Sequence, residues 1–544
     1  MREPLWEIDR TLKAKGFRLS NPPSTYIGPV FPYGNKVIVE IEISDFSFSE
    51  LPVVRLIDAD ELPVQHLAHV NTDDTICYTG QGGLPLDIYN PGGSILRVLE
   101  EAKETLERSF ADGATAEYEA ELASYWKGTT IYVALPSSET NAIFDSELIV
   151  FGIGEKQKRA LVPTGKWKNA KTSSRQPTTT ISFNSTLKHT PAFKSENLAD
   201  FIDWIKRQPN GPAGLQEKII TSAADSKPVF VVSPNALIGW HPVFPPNIQL
   251  LKSASGVRKS FLRKQLVNSL SNVGLRKMTG LQLDLKQVVK RNLYGKTTLI
   301  EKKISMVGCG TIGGHLAKLL VQSGAGCEER FNIYDTDILR PGNLGRHVLG
   351  YSDLEQPKAI ALAEHLGQFH PDVQIAPFHR NAVQDWSSIE RSDLIIDATG
   401  DYNVATALNE LRMNSKRSGD ELAILHTWVF GNGIAAQSFL NLNDGLACYH
   451  CLKPIFGGSW RQSPAKDVKA PQQIAPANCG EAGYVPFSAD APTVAAALTL
   501  RAVLDWAEHQ PGQRLRTVTL NHAEGNDVKW TSPKRSNSCG ACNG

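Results

Sequence analysis

The chain has 544 residues, enough for about three domains of ordinary size. Hydrophobic residues make up 41% and charged residues 21%, a globular composition rather than a disordered one. Lys plus Arg (57) nearly balances Asp plus Glu (56), so the formal charge of +1 gives no global electrostatic reason to expect a nucleic acid or an anionic membrane as partner.

The opening MREPLWEIDR carries acids and lacks the apolar core of a signal peptide. No apolar run reaches the roughly 18 residues of a membrane span, so the expectation is a cytoplasmic protein. Residues 36–57 alternate as two or three strands, with Val37, Val39 and Ile41 on one face and Pro52 at the start of the last. A turn-rich segment, HLAHVNTDDTICYTGQGGLPLDIYNPGG, reads as irregular surface. A helix follows at 94–108, capped by Ser94, with Ile95, Leu96, Leu99, Ala102 and Leu106 as its buried stripe. These elements predict a small α+β domain over 1–150. Residues 161–180 are polar and basic and read as a linker or exposed loop, within an intermediate segment 151–290 to which no chemistry attaches. Its basic part, 256–291, reads as a docking surface.

From residue 303 the pattern changes to strand–helix alternation: KISMVGCG, TIGGHLAKLLVQSG, RFNIYDTD and later DLIIDATG. The expected fold class is α/β with a Rossmann-like, mostly parallel sheet over 291–544. Gly308, Gly310 and Gly313 form a fingerprint between a strand and a helix, where glycines allow close approach to phosphates and the helix amino end favours their charge. Asp335 ends the second strand and could bind ribose hydroxyls. On its own the fingerprint leaves a nicotinamide or flavin enzyme, an ATP enzyme and a plain structural turn all open. The residues beyond it favour a triphosphate: Asp337, Asn343, Arg346 and, 12 residues later, Lys358 supply acids, an amide and several cations. Asp397 or Asp401 would hold magnesium.

With GCGTIGG at 308–314, DTD at 335–337, NLGRH at 343–347, Lys358 and DATGD at 397–401, residues 291–500 resemble the ThiF-type adenylating enzymes that activate ubiquitin-like and sulfur-carrier proteins. The resemblance implies ATP-dependent adenylation of a protein C-terminal carboxylate and a homodimer. It assigns Asn343, Arg346 and Lys358 to the nucleotide and its phosphates, and it likens Arg291 to an arginine reached across the dimer. The familiar place of the magnesium aspartate is Gly400 here, which divides that role between Asp397 and Asp401.

Four of the eight cysteines form two Cys-x-x-Cys pairs, Cys448/Cys451 and Cys539/Cys542. Together they could give a tetrahedral zinc four thiolates, with His450 a bystander. Cys479, in the loop 476–483 before a helix at 489–506, stands where the adenylating family carries a reactive cysteine. The resemblance implies that it takes the acyl group from the adenylate as a thioester. Cys77 lies six residues after Asn71, an arrangement that resembles the ubiquitin-conjugating fold, with Val70 in place of that family's proline. The resemblance makes Cys77 a second nucleophile and Asn71 an oxyanion donor. Asp87 could orient the incoming amine.

The combination is similar to the activating–conjugating fusion proteins of bacterial antiphage operons of the cyclic-oligonucleotide (CBASS) type. It implies thioester formation on Cys479, transfer to Cys77 and ligation to a target amine. The carboxylate would come from a cGAS-like nucleotidyltransferase. The alternative is a sulfur-carrier adenylyltransferase with a non-catalytic N-terminal carrier-binding domain.

Overall fold

The computed structural model describes residues 2–58, 67–71, 73–79, 83–110, 114–136, 140–152, 157–167, 172–189, 196–468, 472–475 and 484–543. The chain divides into two compact units, Met1–Leu283 and Asp284–Gly544.

The first unit opens with a four-stranded antiparallel sheet in the order β1 (Arg18–Asn21), β2 (Thr25–Val30), β3 (Val37–Glu42) and β4 (Val53–Asp58). Alternation along β3 buries Val37, Val39 and Ile41, while Ile38, Glu40 and Glu42 are half-buried on the other face. The inner face packs on two helices, Arg2–Ala14 through Ile8 and Leu12, and Pro91–Phe110 through Ile95, Val98, Leu99, Ala102 and Leu106. Leu96, one position past Ile95 and so about 100° around the helix, faces outward instead of joining that stripe. Ser94 is not the cap either. The helix begins at Pro91, and the Ser94 hydroxyl accepts from Asp87 N (2.8 Å) and donates to Asp87 O (3.0 Å), tying down the preceding loop.

The rest of this unit is a closed barrel of β5 (Thr129–Val133), β6 (Ala142–Phe151), β7 (Lys158–Pro163), β8 (Thr172–Ser182), β9 (Val229–Val232), β10 (Leu237–Val243) and β11 (Gly274–Gln282). Its strand order is β10-β11-β5-β7-β6-β8-β9. Strands 129–133 and 142–151, which the sequence reading puts with the first domain, pair here. Of residues 161–180, expected to be linker or exposed loop, 161–163 end β7 and 172–180 lie in the long barrel strand β8. Polarity misleads at that point because the threonines are β-branched and their hydroxyls find buried partners: Thr179 Oγ1 lies 2.7 Å from Ser222 Oγ, and Thr180 Oγ1 2.6 Å from Ser146 Oγ. Of residues 256–291, the helix Lys259–Val267 and strand β11 belong to this unit and the helix Leu285–Asn292 to the second.

The second unit is built on a seven-stranded mixed sheet: β12 (Ile304–Val307), β13 (Phe331–Tyr334), β14 (Ile375–Phe378), β15 (Leu394–Asp397), β16 (Ala423–Phe430), β17 (Ala435–Asn441) and β18 (Leu515–Thr519). The order is β14-β13-β12-β15-β16-β17-β18. The first five strands run parallel, and β17 and β18 add antiparallel. The change of direction follows from chain length. Only Gly431 to Ile434 separate β16 from β17, with Gly431 and Gly433 at positive φ, and a parallel crossover needs about a dozen residues. Helices Thr311–Gln322 and Asp490–Ala507 pack against each other and on the sheet. At one edge β14 carries Pro377, which has no amide to donate outward. Among the described residues no helix is long and apolar enough to cross a membrane.

Replacing Thr179 by Val leaves the Ser222 hydroxyl buried without this partner and should lower stability by about 1–3 kcal/mol in urea unfolding. The double variant Thr179→Val/Ser222→Ala removes both hydroxyls and should lose less than the single change.

Candidate functional site

The glycine fingerprint forms because two strand ends meet. Gly308, following β12, has φ +93°, and a Cβ there would stand 2.8 Å from Thr399 N in the turn that follows β15. A Cβ on Gly313 would fall 1.9 Å from Gly308 O, so the helix Thr311–Gln322 starts directly on the turn. Gly310 caps that helix without a side chain, leaving its first amides to whatever enters. Gly308, Gly310, Asp335, Asp337, Arg346, Lys358, Thr399 and Asp401 line one cavity of about 590 Å³.

Asp335 closes the turn from below. Its Oδ2 accepts from Cys309 N (2.7 Å) and its Oδ1 from Asp337 N (2.8 Å), so the carboxylate is a clamp as well as a cavity wall. Lys358, 6% exposed, begins the helix Lys358–Gly367 and holds Asp337 Oδ2 at 2.5 Å. Burial pushes the Asp337 carboxyl up, but the Lys358 hydrogen bond and charge outweigh it and set it below the usual carboxylate range. Arg346 donates to Val485 O (3.2 Å), with its guanidinium 4.5 Å from the Phe487 ring and 5.5 Å from the Tyr484 ring. Arg380, which the sequence reading passes over, also lines the cavity and pairs with Asp385 at 3.1 Å.

Three residues assigned to the nucleotide are not in this chain's cavity wall: Gly313, which abuts the Gly308 turn, Asn343, and Arg291, whose expected place is across a dimer. Asn343 is not in the cavity wall; its Oδ1 accepts from Arg340 N (3.0 Å) and closes the turn Pro341–Asn343. Arg291 is exposed in the last turn of the helix Leu285–Asn292 and is not part of the cavity lining.

Of the two candidate magnesium aspartates, Asp397 is 2% exposed and its oxygens are taken. Oδ1 accepts from Thr399 N (3.1 Å) and Thr399 Oγ1 (2.6 Å), and Oδ2 from His426 Nδ1 (2.9 Å). Asp397 is also absent from the cavity lining. Asp401 lines the cavity and caps the helix Tyr402–Asn414 with Oδ1 alone.

His347 is a positioning residue whose role the motif NLGRH does not reveal. Its Nδ1 accepts from Leu349 N (3.1 Å), so Nε2 carries the proton and donates to Cys309 O (2.8 Å). Burial lowers its pKa.

The Cys448, Cys451, Cys539 and Cys542 sulfurs all lie within 4.8 Å of one another. Four of the separations are 3.9, 3.7, 3.5 and 3.5 Å. A tetrahedron with metal–sulfur bonds of about 2.3 Å has edges of about 3.8 Å, so the donor set and its spacing fit a structural metal ion. Ser536 N points at Cys451 Sγ (3.4 Å) and His450 Nδ1 lies 3.3 Å from Cys539 Sγ, contacts that support thiolates from outside the set. Cys479 lies outside the described residues.

In the first unit, residues 69–71 and 73–77 pair on the edge of β4, with Val70 opposite Ile76 and hydrogen bonds from Cys77 N to His69 O (2.7 Å) and from Asn71 N to Thr75 O (2.8 Å). Ile76 is buried, while Asn71 and Cys77 are exposed. His69 anchors this pairing. Its ring lies between Glu117 Oε2 (3.1 Å) and Glu121 Oε1 (3.0 Å), and its amide donates to Tyr125 Oη (3.2 Å). Only a tertiary contact puts the two carboxylates there, and no local signal announces it. Asp87 folds back instead, accepting from Tyr89 N (2.8 Å).

Residues 282–542 match the ThiF family, and residues 5–131 match prokaryotic E2 family B. An ATP-dependent ubiquitin transferase-like protein Cap2 from Pseudomonas aeruginosa is 27% identical over 532 residues, covering 92% of this chain and 90% of that protein. The Escherichia coli protein of the same name is 33% identical over 233 residues, 41% of this chain and 38% of that one. The adenylyltransferase and sulfurtransferase MOCS3 of Danio rerio is 27% identical over 170 residues, 30% of this chain and 34% of that one.

The neutral His347 has a pH consequence. Below about 6.5 the unfolded chain binds a proton that the folded one refuses, so stability falls as pH drops through the ordinary histidine range. Urea unfolding between pH 5 and 8 should show this slope, and His347→Gln should flatten it.

Proposed function

Because the chain joins a ThiF-type adenylation domain to an E2-like domain, the arrangement of the Cap2-type proteins, we propose that it activates a protein C-terminus with ATP and ligates it to an amine. The observation that carries this reading is the cavity in which glycine-turn amides, Arg346, Lys358 and Asp401 converge.

ATP would lie with its phosphates over Gly308 and Gly310 and the helix amino end, its ribose beside Asp335, and its α-phosphate near Arg346 and Lys358. Asp401 would hold magnesium, which neutralises phosphate charge when bound. The carboxylate oxygen attacks the α-phosphorus, the bond to pyrophosphate breaks, and an acyl-adenylate remains. The Cys479 thiolate then attacks the acyl carbon and AMP leaves. Cys77 takes the acyl group by thioester exchange, freeing the Cys479 thiol. Last, an amine attacks the Cys77 thioester, an amide forms and the Cys77 thiol is restored, with the Asn71 amide as donor to the oxyanion.

The exposure of Cys77 suits the last two steps, since both the carrier and the acceptor must reach it. We place the conjugating module in the N-terminal part, the barrel as the intermediate domain, and the adenylating module with its zinc cluster in the remainder. The enzyme acts in the cytoplasm as a homodimer in which the exposed Arg291 reaches the partner's nucleotide. Its carrier is a cGAS-like nucleotidyltransferase primed in antiphage defence.

Purified protein, ATP, magnesium and candidate carrier proteins, run on non-reducing gels, test the order. Cys77→Ala should still load Cys479, whereas Cys479→Ala should leave Cys77 unloaded. A thiocarboxylate product, with Cys77→Ala fully active, would instead establish sulfur transfer. Lys358→Met should lower ATP–pyrophosphate exchange on the order of a hundredfold.

A further inference from the structure

The pair Asp397–His426 is buried, hydrogen-bonded and unused by the chemistry above. Asp397 is 2% and His426 1% exposed, and burying a carboxylate is costly unless both its oxygens are hydrogen-bonded. Here they are: Thr399 takes one oxygen with both its amide and its hydroxyl, and His426 Nδ1 takes the other. Thr399 Oγ1 in turn accepts from Asp401 N (3.2 Å). The carboxylate thereby sets the whole turn from Ala398 to Asp401, the same turn whose backbone presses on Gly308 and lines the nucleotide cavity.

His426 looks the other way as well. Since a carboxylate only accepts, Nδ1 is the protonated nitrogen, and Nε2 is buried without a hydrogen-bond partner. The ring lies against Tyr449, with centroids 4.4 Å apart and planes at 34°. Tyr449 stands between Cys448 and Cys451, and its amide donates to Asn409 Oδ1 (2.9 Å) on the helix that Asp401 caps. Tyr449, next to Cys448 in the chain and in the same core cluster as the cysteines, thus leads through His426, Asp397 and Thr399 to the cavity wall.

We infer that His426 is a positioning residue for the nucleotide cavity and transmits to it the metal occupancy of the four-cysteine cluster, so that loss of the metal weakens nucleotide binding. The inference rests on the proposed identity of the cavity as the ATP site and of the metal as zinc.

The test measures ATP affinity by calorimetry in magnesium buffer on the full chain, before and after zinc is stripped by a chelator and removed by desalting. Released zinc is counted by a metal dye, and the fold is checked by circular dichroism. His426→Phe keeps a ring against Tyr449 but leaves Asp397 Oδ2 without its donor, and should weaken ATP binding about tenfold or more. His426→Asn offers Asp397 an amide donor without the ring; it should recover most of that affinity and lose the response to zinc removal. In the wild type, zinc removal should weaken ATP binding by about the same factor as His426→Phe. Unchanged affinity in a folded His426→Phe variant overturns the positioning role. Unchanged wild-type affinity after zinc removal, an undiminished response in His426→Asn, or purified protein without zinc overturns the transmission. Should His426→Phe not fold, the wild type and His426→Asn still decide the matter. A wild type that binds no ATP sinks the nucleotide reading itself, which is a different failure.

Discussion

Two turns in backbone contact are the constraint on which the second unit depends. Gly308 and Thr399 end up so close that no Cβ fits between them, and that proximity brings the ends of β12 and β15 to one cavity. Parallel strands with crossover helices deliver their carboxyl ends to the same side of a sheet, so the crevice forms where the crossovers diverge. The glycine is needed for contact between the turns as much as for contact with a ligand.

The polar groups around the cavity divide into those that build it and those that face into it. Asp335, His347 and Asp397 spend their hydrogen-bonding capacity largely on neighbouring backbone or buried side chains. Lys358 holds Asp337 in place while keeping its own charge at the wall. Arg346 and Asp401 keep capacity in reserve, the first resting on two aromatic faces and the second capping a helix with a single oxygen. Preorganisation of this kind places charge without requiring the surroundings to rearrange when a ligand arrives.

Much of this was legible in the sequence where local chemistry decides the outcome. Short apolar strands ending in Gly308, Asp335 and Asp397, and paired cysteines with two-residue spacers, announce a strand–turn–helix crevice and a four-cysteine cluster. Outcomes set by distant partners were not legible. Motif spacing cannot distinguish Asp397 from Asp401, because what separates them is His426, 29 residues beyond Asp397 and reachable only through the pairing of β15 with β16. The Thr-rich segment 172–180 looks like a loop because the hydroxyl partners that permit its burial, on β6 and on the helix Leu215–Ala224, lie far away in the chain. The strand 142–151 joins the barrel because its partners β7 and β8 come from later in the chain.

The proline in β14 has a consequence for self-association. A sheet edge with a full row of outward amides invites another chain to add a strand, the route to domain swapping and fibre growth. Pro377 interrupts that row at the third of four residues, so backbone zippering along this border is discouraged. This border therefore keeps a strongly hydrogen-bonded sheet interior behind a flank that resists polymerisation.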